Sequence, residues 1–304
     1  MRQCILENEN WQVEISPEFG ASIVNGRARL SGDWLSVMRT TAPEVLSQGN
    51  VSKMSSFLLV PFSNRLPDAR FTFRGKTYQL KPNTPEGNAQ HGDVRRRPWR
   101  VQASSATQLE CSLNTREFDD FNYPFPFSCA VSYVLNGVRF ETQFKLTNTG
   151  EEAMPVGFGF HPYFSRTLTA PDEPVELSVR LTHVYEELVP TRTAVPTPSE
   201  LSFARIRPLA DTVLNHCFTG WDGKALIRWA RSGIALNIEA SQPLRHVILF
   251  SPAGEPFFAV EPVSNATNGF NLYAAGYPGS GTIVLEPGET TTGRFALILE
   301  RPEP

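Results

Sequence analysis

The sequence predicts an all-β protein built as a large antiparallel β-sandwich. Hydrophobic and polar residues alternate with a period of two along many short segments, and turn residues separate these segments. The 304 residues include 25 prolines and 21 glycines without a repeat, which indicates many short elements joined by turns. No segment of about twelve residues or more carries a helical hydrophobic stripe with caps at both ends. Together these three observations favour short strands over long helices.

Two predicted hairpins are the clearest elements. The first lies between 70 and 80, where an aromatic face alternates with polar residues around a Gly75-Lys76 turn. The second has strands at 131–135 and 139–146 on either side of Asn136-Gly137, a strong two-residue turn signal. Further short strands are predicted at 234–238, 246–250, 257–260, 282–285 and 294–299.

Helices are predicted only as short pieces, and no linker divides the chain. The helix candidates lie near Pro43–Gln48 and Ser199–Leu201. The Pro-rich stretch Pro190–Pro198 lies between strand-like segments and is predicted to be a long surface loop. No shift in composition marks a boundary, and large β-sandwiches often form one unit of this length. We therefore predict a single domain over residues 1–304.

Composition excludes several classes of function. A net charge of −3 lacks the basic excess that proteins binding phosphate backbones need, so no nucleic-acid partner is predicted. No apolar stretch is long enough for a membrane span or signal peptide, which predicts a cytoplasmic protein without a membrane partner. The widely spaced cysteines Cys4, Cys111, Cys129 and Cys217 predict buried free thiols. No GxGxxG, GxxxxGK[ST], HExxH or GxSxG motif is present.

Two of the five histidines have suggestive neighbours. His91 follows a loop rich in proline, asparagine and glycine, and His161 stands in Gly157-Phe158-Gly159-Phe160-His161-Pro162-Tyr163-Phe164. Aromatic rings can stack on the C–H faces of a polyhydroxylated ring while an imidazole transfers a proton near neutral pH. The alternative is that each is a partly buried histidine bonded to backbone.

A carboxylate and an arginine are further candidates. The apolar strand 257–260 leads directly into Glu261-Pro262, and a carboxylate there must be paired, hydrogen-bonded or shifted in its pKa unless it simply reaches solvent. Glu286-Pro287 has the same local sequence, so the dipeptide alone is weak support. Asn64-Arg65 follows an apolar approach, and its arginine could hold two substrate oxygens or form a surface ion pair. The run Arg95-Arg96-Arg97 is predicted to be a solvated loop, with a weaker alternative as a phosphate contact.

The chain resembles the aldose 1-epimerase (galactose mutarotase) family over most of its length. The resemblance depends on an ordered set of short motifs rather than on any one of them. In order they are Asn64-Arg65, Phe71-Thr72-Phe73, Gly75–Leu80, His91-Gly92, Pro98-Trp99, Tyr123–Ser128, Gly159–Phe164, Phe218–Gly223, Glu261-Pro262 and Pro287-Gly288-Glu289.

The resemblance implies a fold, a reaction and a set of residue roles. The fold is an antiparallel galactose mutarotase-like β-supersandwich, and the reaction is interconversion of the α and β anomers of an aldose through ring opening and reclosure. By resemblance, Glu261 is the general base at the C1 hydroxyl and His161 is the general acid at the ring oxygen. His91 and Arg65, with the neighbouring Asn64, bind the sugar. No metal or organic cofactor is implied, the partner is a small sugar, and the protein is expected to be a monomer or homodimer.

One position departs from the family pattern. Where many members carry an aspartate that binds a sugar hydroxyl, this chain has Asn215, which keeps an acceptor but loses the charge. Asp211 or Asp222 could compensate. Three alternatives to a mutarotase of free aldoses therefore stay open. They are a non-catalytic carbohydrate-binding or sugar-sensing module, a hexose-6-phosphate mutarotase that uses Arg95–Arg97, and a zinc site of His91, His161 and Glu261.

Overall fold

The computed structural model describes residues 3–170, 172–210 and 212–301, and most of its regular structure is antiparallel strand. The strands of the first half are β1 (Cys4–Glu7), β2 (Trp11–Ser16), β3 (Ser22–Leu30), β4 (Asp33–Ser36), β5 (Leu58–Leu59), β6 (Arg65–Leu66), β7 (Arg70–Phe73), β8 (Lys76–Gln79), β9 (Ala89–Gln90), β10 (Arg100–Ser104), β11 (Gln108–Asn114), β12 (Phe127–Asn136) and β13 (Arg139–Asn148). The strands of the second half are β14 (Met154–Val156), β15 (Gly159–Phe160), β16 (Tyr163–Ser165), β17 (Glu176–Val179), β18 (His183–Val184), β19 (Val195–Pro196), β20 (Phe203–Pro208), β21 (Leu214–Thr219), β22 (Lys224–Trp229), β23 (Ile234–Ala240), β24 (His246–Ser251), β25 (Phe257–Val263), β26 (Ile283–Leu285) and β27 (Thr290–Glu300). The helices are α1 (Pro43–Ser47) and α2 (Gly269–Ala274), with short 3-10 turns at Val51–Lys53, Pro67–Ala69, Val94–Arg96, Thr115–Glu117 and Ser199–Leu201.

Two large sheets organise the described residues. A nine-stranded sheet has the order β10-β11-β12-β13-β27-β23-β22-β17-β20. An eight-stranded sheet has the order β19-β18-β21-β24-β25-β15-β5, and β16 also pairs with β25. A four-stranded sheet, β1-β2-β3-β4, and three two-stranded ribbons complete the strand pairing. The predicted all-β antiparallel fold is therefore confirmed.

The period-two pattern follows burial along the strands. In β12 buried residues alternate with half-buried ones along almost the whole strand, because successive side chains point to opposite faces of a sheet. The inward side chains form one extensive hydrophobic cluster, whose largest fully buried members include Trp11, Trp229 and Phe158. Most of the phenylalanines are buried, as are all four cysteines, which are free thiols as predicted.

Both predicted hairpins are present, but each turn is displaced by one residue. Phe73 pairs with Lys76, so the first loop is Arg74-Gly75, and both of its residues have positive φ as a type I′ turn requires. Asn136 pairs with Arg139, so the second loop is Gly137-Val138 with positive φ only at the glycine. In the second loop the glycine takes the single position with positive φ, whereas in the first loop Arg74 adopts a positive φ beside Gly75.

Two of the short helical segments were predicted from the sequence, and one helix was not. The helix α1 and the 3-10 turn Ser199–Leu201 lie where short helices were predicted. The helix α2 was not predicted, and it buries Phe270 and Leu272. The stretch Pro190–Pro198 contains the two-residue strand β19, which pairs with β18 at the edge of the eight-stranded sheet. No helix among the described residues is long and apolar enough to cross a membrane.

Candidate active site

A small pocket on the eight-stranded sheet brings together all six residues that the sequence suggested for a site. Its volume is about 130 Å³. The pocket is lined by Ser52, Phe57, Asn64, Arg65, Gln90, His91, His161, Tyr163, Asn215, Ile248, Phe250 and Glu261. A larger groove of about 630 Å³ lies along the nine-stranded sheet, but its lining includes no histidine. The titratable groups suited to proton transfer therefore converge in the smaller pocket.

Strand pairing fixes Glu261 and His161 relative to each other. Glu261 lies within β25, opposite Ile248 of β24, and the strand continues to Val263 rather than ending at the carboxylate. His161 follows β15 directly, and Gly159 of β15 pairs with Val263. A Cβ at Gly159 would lie 2.6 Å from the Pro262 carbonyl oxygen, so only glycine allows this close approach. Both side chains consequently reach the pocket from neighbouring strands.

Glu261 and His161 form a buried pair. The distance from His161 Nε2 to Glu261 Oε1 is 3.2 Å, and the two residues are 5% and 2% exposed. His161 Nδ1 and Glu261 Oε2 have no hydrogen-bond partner among the described residues. Buried polar atoms are rarely left without partners in native structures, which sets this pair apart from an ordinary structural pair.

Burial shifts the pKa values of the pair toward neutral forms. Burial raises the pKa of Glu261 well above its ordinary value, and the nearby charge of Arg65 opposes this only in part. Burial also lowers the pKa of His161 well below its ordinary value, and the positive charges of Arg39 and Arg95 act in the same direction. Transfer of one proton between the two groups interconverts a neutral pair and an ion pair without changing net charge. Such a pair can accept a proton at one group while it gives up a proton at the other.

Two rings hold the imidazole of His161 in place. Its centroid lies 4.6 Å from that of Phe57 and 4.4 Å from that of Tyr163, and both rings are tilted by about 30° against it. Neither Phe57 nor Tyr163 was a predicted site residue. Tyr163 belongs to the aromatic run around His161, whereas Phe57 has no distinguishing signal in the sequence.

His91 is positioned by the turn that carries Asn64. The backbone N–H of Asn64 donates to His91 Nδ1 at 3.1 Å, and the backbone N–H of His91 donates to the Asn64 carbonyl at 2.8 Å. Burial lowers the pKa of His91 well below its ordinary value, and the charges of Arg95, His161 and Arg65 add to this effect. A neutral imidazole that accepts at Nδ1 carries its proton at Nε2. His91 therefore presents a hydrogen-bond donor at Nε2.

Arg65 is held at the pocket by the same turn. Its Nη1 donates to the side-chain oxygen of Asn64 at 2.8 Å, and its strand β6 pairs with Gln90 of β9. Asn64 has a φ of 54°, a left-handed conformation that asparagine tolerates better than most residues. Burial lowers the pKa of Arg65, while the charges of Glu86 and Glu261 oppose this. The guanidinium is thus a partly desolvated donor beside the carboxylate of Glu261.

Asn215 lines the pocket from β21, where it pairs with Phe250 of β24. Asp222, one candidate for replacing the missing charge, is exposed in the loop before β22, accepts from the backbone N–H of Lys224 and does not line the pocket. Asp211, the other candidate, lies outside the described residues. The described part of the site therefore offers an uncharged amide at the position where the family resemblance implies an aspartate.

The prediction of a solvated loop at Arg95–Arg97 was wrong. Arg95 is only 3% exposed, and its guanidinium lies 5.3 Å from the ring centroid of Phe57. Arg97 is half-buried and bonded to Asp93 and Asp120, so only Arg96 is exposed. The short 3-10 turn Val94–Arg96 explains this arrangement, because it sends successive side chains in different directions. The three arginines do not form a shared cationic surface.

The geometry bears on the zinc alternative as well. Within the described ranges, no group of three or more histidine, cysteine, aspartate or glutamate side chains is arranged so that it could hold a metal ion. His91 Nδ1 already accepts a backbone N–H. Among the described residues, the three side chains named for a zinc site are therefore not arranged as a ligand set.

Comparison with known proteins agrees with the sequence resemblance. The profile of the aldose 1-epimerase family matches residues 3–297. The chain is 29% identical over 260 residues to the Escherichia coli protein YphB, covering 83% of this chain and 86% of YphB. A crystal structure of a candidate aldose 1-epimerase from Escherichia coli K12 superposes with a TM-score of 0.83 at 25% identity, over 99% of both chains. A galactose mutarotase-like protein from Clostridium acetobutylicum has the same TM-score at 19% identity, over 98% of this chain and 94% of that one, and shares the fold. The chain belongs to the aldose 1-epimerase family.

Proposed function

We propose that this protein is an aldose 1-epimerase that interconverts the α and β anomers of an aldose. The observation that carries the proposal is the buried pair of Glu261 and His161, 3.2 Å apart, in a pocket that also contains Arg65 and His91. The two oxygens of a cyclic hemiacetal are attached to the same carbon. A base and an acid that are close neighbours can therefore act on both oxygens of one bound sugar.

The proposed reaction begins from the ion-pair form of the dyad. Ionised Glu261 accepts the proton of the C1 hydroxyl, while protonated His161 gives a proton to the ring oxygen and the bond between C1 and that oxygen breaks. The products are a free aldehyde, a neutral carboxyl group and a neutral imidazole. Burial favours both neutral forms, so the ion pair is the less populated form of the dyad, and the step that consumes it returns both groups to the forms that burial favours. Rotation about C1–C2 presents the other face of the aldehyde, and the reverse proton transfers close the ring.

The remaining residues bind and orient the sugar in this proposal. His91 donates from Nε2, Arg65 donates from its guanidinium, and Asn64 and Asn215 contribute amide groups to the pocket wall. The rings of Phe57 and Tyr163 hold His161 and limit access of water to the pair. These contacts account for binding, whereas proton transfer is assigned to Glu261 and His161.

Polarimetry on freshly dissolved α-aldoses tests the proposed activity. The panel should contain hexoses, pentoses and their terminal phosphates, each compared with buffer alone. We expect an accelerated approach to anomeric equilibrium for at least one aldose. No acceleration for any member would overturn the proposed enzyme.

Asn215 is the observation that favours a second candidate, a carbohydrate-binding module without turnover. An uncharged amide in place of a carboxylate makes weaker hydrogen bonds to sugar hydroxyls, and it could serve binding alone. Calorimetric binding of an aldose without faster mutarotation would select this candidate. The hexose-6-phosphate variant loses its main support, because the three arginines that suggested it are separated.

A further inference from the structure

Ser52 lines the pocket although nothing in the sequence distinguishes it. It lies in the 3-10 turn Val51–Lys53 between α1 and β5, and its side chain faces the pocket that contains His161 and Glu261. The residue is exposed, so a molecule in the pocket can reach it. Its surroundings show that this exposed position is nevertheless fixed.

Two arginines hold Ser52 from different sides. Arg95 Nη1 donates to Ser52 Oγ at 2.7 Å, and Arg39 Nη2 donates to the Ser52 carbonyl at 3.0 Å. The same nitrogen of Arg39 also donates to the Met54 carbonyl. Both the hydroxyl and the backbone of this turn are therefore bound by guanidinium groups.

Each of the two arginines is itself anchored in the site. Arg95 is almost fully buried behind Phe57, and its Nη2 also reaches the carbonyl of Gln90 at 3.5 Å. Arg39 lies over the ring of Tyr163, with 3.5 Å from its guanidinium carbon to the ring centroid. Holding an exposed serine with two desolvated arginines is costly, because burying a cation is unfavourable. A purely structural turn does not require such an arrangement.

The hydrogen bond from Arg95 determines which way the serine hydroxyl points. A hydroxyl has one hydrogen and two lone pairs, and the guanidinium occupies a lone pair of Ser52 Oγ. The O–H bond must then point away from Arg95. Among the described residues the Ser52 hydroxyl hydrogen has no acceptor, so it is available to an oxygen of a bound molecule. A group oriented in advance loses little entropy when it binds.

We propose that Ser52 is a further substrate-contacting residue, which donates its hydroxyl hydrogen to one hydroxyl oxygen of the bound aldose. Arg95 and Arg39 are positioning residues that act through it. The assignment depends on the proposed function for the identity of the ligand, a polyhydroxylated aldose. It adds a specificity-determining contact on the wall formed by the turn Val51–Lys53.

Kinetics of Ser52→Ala against the matched control Lys53→Ala test the contact. Lys53 is the exposed neighbour in the same turn and does not line the pocket. We expect Ser52→Ala to raise KM for the preferred aldose about 3- to 10-fold, as for loss of one neutral hydrogen bond, with kcat within about twofold. Lys53→Ala should leave both constants at their wild-type values. A wild-type KM in Ser52→Ala would overturn the proposal.

Monodeoxy aldoses identify the hydroxyl. Each analogue lacks one hydroxyl and raises KM for the wild-type enzyme by a certain factor. One analogue lacks the hydroxyl that Ser52 contacts. In Ser52→Ala its KM should equal that of the parent aldose, because the variant has already lost this contact. Equal factors in both proteins for every analogue would contradict a direct contact.

Arg95→Met tests whether Arg95 positions the hydroxyl of Ser52. The two measurements that follow would not change if the substitution only weakened packing. Its effect on KM should not add to that of Ser52→Ala in the double variant, because both changes remove the same oriented hydroxyl. Removing this cation should also raise the pKa of His161 and move the acid limb of the rate profile to higher pH. Fully additive effects with an unchanged pH profile would contradict the role. If Arg95→Met does not fold, the Ser52→Ala comparison decides the proposal without it.

Calorimetry separates this proposal from the proposed activity. If the wild-type protein binds an aldose without turning it over, the proposed function fails, and weaker binding by Ser52→Ala still supports the contact. If the wild-type protein accelerates mutarotation while Ser52→Ala behaves as wild type, the function stands and the contact is overturned. If no aldose is bound or turned over, both are overturned.

Discussion

The carboxyl group of Glu261 is placed where ionisation is unfavourable, and this should reduce the stability of the fold. Its pKa is raised in the folded protein, so above the ordinary pKa of a glutamate the folded chain holds this proton more tightly than the unfolded chain. The cost of this group to the stability of the fold is therefore largest at high pH. The cost becomes smaller as the pH falls toward the ordinary pKa of a glutamate. Active sites are often built at this kind of cost to stability.

We therefore predict that Glu261→Gln is more stable than the wild type at pH 7. The amide keeps the shape and can still contact His161 without an ionisation penalty. A carboxyl group whose pKa is raised on folding destabilises the fold at every pH above its ordinary pKa, so the unfolding free energy of the variant should exceed that of the wild type. Urea denaturation at pH 5 and pH 7 measures it, with Glu286→Gln as control, because Glu286 pairs with Arg74 on the surface. A variant less stable than the wild type at pH 7 would contradict a raised pKa for the buried carboxyl group of Glu261.

For single residues, the sequence identified the titratable side chains of the pocket but not the residues that surround them. Glu261, His161, His91 and Arg65 carry recognisable local motifs, and the structure gathers them in one pocket. Ser52 and Phe57 have no such motif, because their place depends on how distant segments pack. Arg95 was wrongly expected in solvent, since a charged run gives no indication of which member lies against an aromatic ring.

The strand β15 is the element on which the geometry of the pair depends most. Its glycine lies against β25, and the next two residues lead to His161. The close contact between Gly159 and the Pro262 carbonyl sets the distance between the two strands. A small change in this spacing should therefore alter the pair of Glu261 and His161 more than it alters the rest of the sheet.

Gly159→Ala tests the role of this element. The added Cβ would meet the Pro262 carbonyl oxygen at 2.6 Å and the Val263 Cγ1 at 2.5 Å, so the strands must move apart. We expect a fall in kcat/KM of about 100-fold from misplaced groups, together with a loss of about 1–3 kcal/mol in unfolding free energy. Gly150→Ala is the control, because its nearest atoms are 3.2 Å away in the turn after β13. Equal, small effects of the two substitutions on kcat/KM would contradict the role of β15.

Elements were predictable where their signal is local. Alternating residues in β12 and β13 gave the strands of the long hairpin, and the neighbouring turn residues gave its loop to within one position. The strand pairing decides which two residues form the loop, and hence which of them must adopt a positive φ. The helix α2 was missed because it is only six residues long and is stabilised by burial of Phe270 rather than by a repeating stripe.

Across the whole molecule, three buried histidines make stability depend on pH. Burial lowers the pKa values of His91, His161 and His246 in the folded protein. His246 Nδ1 lies 3.0 Å from the Ser264 carbonyl oxygen and Nε2 lies 2.9 Å from that of Gly279, and although a neutral ring can donate to only one of them, both contacts partly offset the effect of burial on its pKa. As pH falls through about 6.5, histidines in the unfolded chain gain protons that the folded chain excludes.

We predict that the unfolding free energy falls between pH 7 and pH 5.5. Each excluded proton contributes a slope of about 1.4 kcal/mol per pH unit once the unfolded histidine is protonated, while Glu261 acts in the opposite direction. Urea denaturation across this range measures the net slope. His246→Gln should reduce the slope, because it removes one of the three histidines whose pKa burial lowers. A stability that is flat or rises on acidification in the wild type would contradict this account.

The overall fold followed from the sequence because its determinants are distributed over the chain. Alternation, turn residues and the absence of helical stripes recur in every part of it, so errors in single turns do not change the architecture. The prediction of one domain over residues 1–304 stays a prediction. Which twelve residues share the pocket depends on packing between segments far apart in sequence, from the turn Val51–Lys53 to β25.

The most direct measurement of the central claim is the anomer exchange rate by NMR, compared among the wild type, Glu261→Gln and Glu286→Gln. The two glutamates share the local sequence Glu-Pro, but only Glu261 is buried beside His161. We predict accelerated exchange in the wild type and in Glu286→Gln, and a loss of about 100-fold or more in folded Glu261→Gln. Undiminished exchange in Glu261→Gln would show that the buried pair is not the acid and base of the reaction.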